Sequence, residues 1–129
     1  MDKELNFLIV DDLASMRKIV RNLLRDLGYT NCEEAADGHA ALAMMKRHRF
    51  DMVITDWVMP GMDGIELSKS IRLDAAVSAM PILMVSAETK REQILLAAQS
   101  GINGYLIKPF SAANLETKIN KILNLPQTA

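Results

Sequence analysis

Hydrophobic and polar positions along this chain fall into blocks of two kinds. Short apolar runs, of a length that suits a buried strand, alternate with longer stretches whose apolar residues recur at helical spacing. The first run, Leu5 to Val10, ends in Asp11-Asp12. From Ser15 to Leu27, the residues Met16, Ile19, Val20, Leu23, Leu24 and Leu27 share one helical face, and Arg17, Lys18, Arg21 and Arg25 fall largely outside it. Gly28 stops this helix as a left-handed cap would. Cys32 to Ala36 is a weaker, more polar strand before an Asp37-Gly38 turn, and Ala40 to Lys46 is a short helix with Ala41, Leu42 and Met45 inward. Met52, Val53 and Ile54 make the apolar centre of a third strand, Asp51 to Asp56. Pro60-Gly61 then forms a turn, and Asp63 is an N-cap for a helix over Gly64 to Arg72. Ile65, Leu67 and Ile71 are its apolar positions, with Ser68 interrupting the stripe. Pro81 to Val85 is a fourth buried strand ending in Ser86-Ala87, and Arg91 to Gln99 a helix ended by Gly101. Gly104 to Ile107 is a fifth strand, followed by Lys108-Pro109-Phe110. Ser111 opens the last helix, which carries Leu115, Ile119, Ile122 and Leu123 on one face and is ended by Pro126.

Regular strand–helix alternation of this kind predicts an α/β fold: a five-stranded parallel sheet covered by helices on both faces and joined by right-handed crossovers. The 129 residues read as one domain over 1–129, with a core over about 5–124, a short tail and no output domain. With 50% hydrophobic residues, the chain can bury a sizeable core. A net charge of −1 argues against nucleic acid as the main partner. A lone cysteine, Cys32, excludes an internal disulfide and suits a reducing compartment. The opening Met-Asp-Lys-Glu-Leu lacks a signal-peptide pattern, and no stretch approaches the roughly eighteen apolar residues of a membrane span, so a cytoplasmic protein is expected.

The charged residues change this picture, because they stand at strand ends. Asp11 and Asp12 follow the first strand, Asp56 ends the third, Ser86 follows the fourth and Lys108 the fifth. In open α/β sheets, ligands bind in the crevice at the carboxyl ends of the strands. Neighbouring strands lie roughly 4.8 Å apart, so these side chains can reach a common point. Each has a plain reading when taken singly: a turn former or N-cap for the aspartates, a helix cap for Ser86, a solvated surface residue for Lys108. Together they are harder to dismiss. Clustered carboxylates repel one another and call for a cation, and an all-oxygen donor set suits Mg2+ better than zinc. A magnesium ion beside a lysine and a hydroxyl makes a site for a phosphoryl group.

The set Asp11-Asp12, Asp56, Ser86 and Lys108-Pro109, with its spacing of elements, resembles the receiver domain of two-component response regulators over essentially the whole chain. Val-Asp-Asp, Asp-Trp-x-Met-Pro-x-Met-Asp-Gly and Gly-Tyr-x-x-Lys-Pro-Phe are similar to the chemotaxis members in particular. The resemblance implies a flavodoxin-like (βα)5 three-layer sandwich of strand order 2-1-3-4-5. It implies that Asp56 accepts a phosphoryl group from a histidine kinase, and that Asp11, Asp12, Asp56 and the backbone carbonyl of Val58 hold Mg2+. Ser86 and Lys108 would bind phosphoryl oxygens, with Ser86 moving toward them after transfer and Tyr105 turning inward into the space it leaves. A cis peptide before Pro109 would aim Lys108 into the site. Ile94, Tyr105, Ile107 and Lys118 would form the surface that partners read, most plainly a flagellar motor switch protein. The implied protein is a monomeric phosphoacceptor with slow self-dephosphorylation, not a metabolic enzyme. It would act in chemotaxis and have no membrane partner.

One position departs from the chemotaxis pattern. Val58, two residues after Asp56, stands where the best-known regulators carry Asn. Val58 and Glu88 are therefore expected to set the lifetime of the phosphorylated state, and a phosphatase that acts on the Asn-bearing regulators need not act here. Within the same chemistry, the chain could instead be a phosphorelay intermediate or adaptor. A phosphohydrolase with an aspartyl nucleophile of the haloacid-dehalogenase type is disfavoured, because it wants a second Asp at position 58. A pseudo-receiver is disfavoured by the complete acidic set. Other features read plainly: Trp57 lies over the mouth of the site as a reporter, Met44, Met45, Met52 and Met84 fill the core, and Cys32 is buried. His39 and His48 are exposed, and Lys46-Arg47-His48-Arg49 is a favourable cationic helix end.

Overall fold

The computed structural model describes residues 4–126, so the opening residues and the end of the tail, on which the targeting and tail readings partly rest, lie outside it. Strand and helix alternate as β1 (Asn6–Val10), α1 (Ala14–Asp26), β2 (Asn31–Ala35), α2 (Gly38–Arg47), β3 (Met52–Asp56), α3 (Gly64–Leu73), β4 (Ile82–Ser86), α4 (Arg91–Gln99), β5 (Gly104–Ile107) and α5 (Ala112–Ile122). The strands form one parallel sheet of order β2-β1-β3-β4-β5.

Central strands are apolar throughout because both faces are covered. Phe7 and Ile9 of β1, Met52 and Ile54 of β3, and Leu83 and Val85 of β4 pack with Val20 and Leu24 of α1 and with Leu115 and Ile119 of α5. The alternate residues Leu8, Val10, Val53 and Ile82 pack on the other side with Ala41 and Met45 of α2 and with Leu67 and Ile71 of α3. Met84 meets Ile65 of α3 and Ala97 of α4. The edge strand β2 is the polar one, with Asn31 and Glu33 exposed.

Caps fall where the local chemistry directs them. Asp63 accepts from the Glu66 amide while Glu66 accepts from Asp63, and Ser111 and Asn114 repeat this capping box on α5. Gly28 (φ 96°) and Gly101 (φ 102°) take the left-handed conformation after α1 and α4. Three expectations are corrected. Asp37 caps α2 through the Ala40 amide, so that helix starts at Gly38 and the Asp37-Gly38 pair is its entry. The last helix ends at Ile122, with Asn124 in the left-handed region (φ 56°), before Pro126 can act. Ile19 lies 49% exposed at the edge of the α1 stripe, because the buried line runs through Val20 and Leu24. Ser68, by contrast, lies where its place in the stripe puts it, fully buried with the apolar residues of α3. Among the described residues, no helix is long and apolar enough to cross a membrane.

Candidate functional site

Strand register assembles the site at the carboxyl edge of the sheet. Val10 pairs with Thr55, which places Asp11 one step beyond β1 beside Asp56 at the end of β3. Asp56 pairs with Val85, so Ser86 lies one step further along the neighbouring strand. Ser86 pairs with Ile107, and the Lys108 amide donates to the Ser86 carbonyl at 2.8 Å. Asp56 and Ser86 are thus the last residues of β3 and β4, and Asp11 and Lys108 the first beyond β1 and β5.

Asp11, Asp12 and Asp56 each offer one carboxylate oxygen within 4.8 Å of the others. Asp11 is buried, Asp56 half-buried and Asp12 exposed, so the cluster opens outward through Asp12. Lys108 Nζ lies 3.2 Å from Asp56 Oδ1 and 3.7 Å from Asp11 Oδ2. One ammonium thus pairs with two of the three carboxylates, and Asp12 is outside its ion-pair reach. Burial pushes the Asp11 carboxyl above its ordinary pKa, and the charges of Asp56 and Asp12 push the same way against the Leu13 amide and Lys108. The cluster is short of positive charge, and an oxygen-only donor set of this kind fits a hard divalent cation.

The two oxygens of Asp56 differ. Oδ1 accepts from the Trp57 amide at 2.8 Å and from Lys108 Nζ, while Oδ2 receives no hydrogen bond among the described residues. The Lys108-Pro109 peptide is cis, as expected.

Ser86 is not drawn into the carboxylate cluster. Its hydroxyl, 4% exposed as a residue, accepts from the Glu88 amide at 3.1 Å, so it turns the β4–α4 loop without capping α4, whose N-cap is Lys90. Tyr105 is half-buried, and its hydroxyl donates to the Glu88 carbonyl at 2.8 Å. Burial raises its pKa, partly offset by the Ser86 hydroxyl beside it. Its ring meets Trp57 edge-on, with centroids 6.4 Å apart. A chain of contacts therefore runs from Asp56 through Trp57 to Tyr105, Glu88 and Ser86. The Glu88 carboxylate accepts from the Thr89 amide, and Val58 is 78% exposed. Ile94 and Lys118 are half-buried and Ile107 is 43% exposed, on α4, α5 and β5 respectively.

Two contributors were not legible as such. Gly64 follows Asp63 at the entry of α3, and a Cβ there would run into the Asp56 carbonyl oxygen, so only glycine lets the helix start this close to the site. Arg17, read as lying largely outside the apolar stripe of α1, is tied to Glu34 on β2 and to the backbone of Asp11. Burial raises the Glu34 pKa, but the Arg17 and Arg21 hydrogen bonds outweigh it and hold that carboxyl below its usual range.

Comparison with known proteins places this geometry. Residues 7–120 match the response regulator receiver domain. The chain is 57% identical over 122 residues to the chemotaxis protein CheY-3 of Vibrio cholerae, covering 95% of this chain and 94% of that protein. It is 54% identical over 118 residues to the chemotaxis protein CheY of Pseudomonas aeruginosa, covering 92% and 95%. The solved structure of CheY4 from Vibrio cholerae superposes with a TM-score of 0.85 at 38% identity, over 93% of this chain and 99% of that one. The receiver domain of a Pseudomonas aeruginosa sensor histidine kinase, solved with a magnesium ion coordinated in its active-site cleft, gives a TM-score of 0.84 at 28% identity, over 94% and 98%.

Proposed function

The chain belongs to the response regulator receiver family, and from that premise we propose that it is a chemotaxis regulator switched by phosphorylation of Asp56. The observation that carries this reading is the meeting of Asp11, Asp12 and Asp56 within 4.8 Å of one another under a single lysine. Asp56 is the acceptor. With Oδ1 engaged by the Trp57 amide and Lys108, the carboxylate is held in place. Asp56 attacks the phosphorus of a phosphohistidine on a sensor kinase: the new bond is O–P, the bond that breaks is P–N, and the electron pair returns to the imidazole.

Asp11, Asp12, Asp56 and the Val58 carbonyl would hold Mg2+, which neutralises charge on the phosphoryl oxygens when bound. Lys108, already pointing at Asp56, balances the same charge from the other side. Ser86 would turn its hydroxyl from the Glu88 amide to a phosphoryl oxygen, freeing the loop that also carries the acceptor of the Tyr105 hydroxyl. The face bearing Ile94, Tyr105, Ile107 and Lys118 then reports the state to a partner, for which the flagellar motor switch is the foremost candidate. Chemotaxis relatives at 57% and 54% identity support that partner over a relay role. Self-dephosphorylation is slow, and no small-molecule turnover is assigned.

Trp57 fluorescence tests the reading, since its amide bonds Asp56 and its ring touches Tyr105. Magnesium should change the signal, and acetyl phosphate should change it again, with a phosphoryl adduct by intact mass. In Asp56→Asn the second change and the adduct should vanish while the circular dichroism spectrum stays that of the wild type. An adduct that survives in Asp56→Asn would place the phosphoacceptor elsewhere.

A further inference from the structure

Asp11 is held from two directions, by β2 directly and by Arg17 of α1, which is itself anchored on β2. Its amide donates to the Ala35 carbonyl of β2 at 3.2 Å, one bond past the last β1–β2 pair, Val10 with Ala35. Its carbonyl lies beyond the strand, where no ladder partner remains, and a backbone carbonyl in such a place needs a donor. Arg17 supplies it: Nη1 donates to the Asp11 oxygen at 2.7 Å. Arg17 is in turn fixed by Glu34, the residue before Ala35, which accepts from Arg17 Nε at 2.9 Å. The other Glu34 oxygen accepts from Arg21 Nε at 2.8 Å, so both carboxylate oxygens are used. The Arg17 side chain is only 16% exposed, which sets it apart from a solvated surface ion pair.

We propose that Arg17 is a positioning residue for the acidic site, a strut between Glu34 on β2 and the peptide that joins Asp11 to Asp12. This inference rests on the reading of those aspartates as ligands of a divalent cation. A guanidinium is a planar fork, so the direction of its bond to Glu34 sets the direction of its bond to Asp11. The bond to the carbonyl is charge-assisted and stronger than a neutral one. Holding that peptide plane fixes where both carboxylates leave the chain. The Leu13 amide, donating to Asp11 Oδ1 at 3.0 Å, completes the support from the far side of the turn. Glu34 therefore has a role beyond being a polar residue on an edge strand.

A plain structural staple would make a different prediction, and so would plain electrostatics. Deleting a cation near an acidic cluster should tighten Mg2+ binding on Coulomb grounds. Losing the strut should weaken it. The experiment is a magnesium titration followed by Trp57 fluorescence on the wild type, Arg17→Met, Arg17→Lys and Arg21→Met, each shown by circular dichroism to be folded at the titration temperature. The Kd for Mg2+ should rise about tenfold in Arg17→Met, the lower end of what losing an outer partner of a ligand costs. Arg17→Lys, which keeps the charge but not the fork, should also show a raised Kd. Arg21→Met removes the same charge from the same cluster without touching Asp11, and its Kd should not rise. An Arg17→Met Kd at or below the wild-type value, or a rise in Arg21→Met as large as in Arg17→Met, overturns the proposal. Should Arg17→Met not fold, Arg17→Lys decides by the same criterion. A wild type that gives no magnesium response removes the cation reading itself, whereas a responding wild type with an indifferent Arg17 variant removes only the strut.

Discussion

Val58 presents a branched apolar side chain, 78% exposed, two residues beyond Asp56. It has neither donor nor acceptor, so it can orient no water toward a phosphoryl group on that carboxylate. An amide at this position could do so, as amide side chains do in nucleotide hydrolases. Val58→Asn should therefore shorten the life of the phosphorylated form. One added neutral hydrogen bond contributes about 1 kcal/mol, or roughly fivefold in rate. The decay of the acetyl-phosphate-induced Trp57 signal after the donor is removed reads this directly, and an unchanged rate would exclude position 58 as a determinant. At this scale the sequence was informative where a residue's role follows from its place at a strand end. Asp11, Asp56 and Lys108 were found that way. Arg17 was not, because its partners are set by packing: Glu34 lies 17 residues away and the second acceptor is a backbone oxygen.

Helix α3 shows how an element carries a local fault without losing its form. Ile65, Leu67 and Ile71 bury their side of the helix, and Ser68 goes with them. Its hydroxyl is fully buried and is the one buried side-chain oxygen or nitrogen without a hydrogen-bond partner among the described residues. A buried unmet hydroxyl costs on the order of 1–3 kcal/mol, and removing one oxygen leaves only a small void. Ser68→Ala should stabilise the fold by about 1 kcal/mol after the void is subtracted, read as a higher urea midpoint at unchanged m-value. A lowered midpoint would mean that the hydroxyl has a partner in solution. An element's place in the sheet explains the one strand that looked weak in sequence. β2 is polar because it is an edge, and its Glu34 faces the arginines of α1 instead of water alone.

For the molecule as a whole, the acidic crevice is a stability fault that a ligand can correct. Three carboxylates cluster there, only two of them paired with Lys108, and burial has already raised the Asp11 pKa. Metal-free Asp11→Asn should melt above the metal-free wild type at neutral pH, since it removes one of the repelling charges and keeps an oxygen for the Leu13 amide. A bound cation should reverse the order. At a hundredfold excess over Kd, Mg2+ should stabilise the wild type by about 2.7 kcal/mol and leave Asp11→Asn unmoved. Melts with and without EDTA give all four values. A wild type indifferent to magnesium, or an equal shift in the variant, would mean that Asp11 does not hold the ion.

Sequence alone determined the number, kind and order of the elements, because burial of a strand on two faces and of a helix on one leaves a period that a linear pattern must carry. It also determined which chemical groups stand at the carboxyl edge, since a residue that ends a buried run has nowhere else to be. Tertiary structure decided what those groups meet. Register brought Asp11 to Asp56 and left Ser86 turned toward Glu88, and the close approach of α3 demanded Gly64. Packing of α1 against β2 made Arg17 part of the site's frame. Each of these depends on distances between residues remote in the chain, and a pattern of neighbours along one dimension holds no record of them.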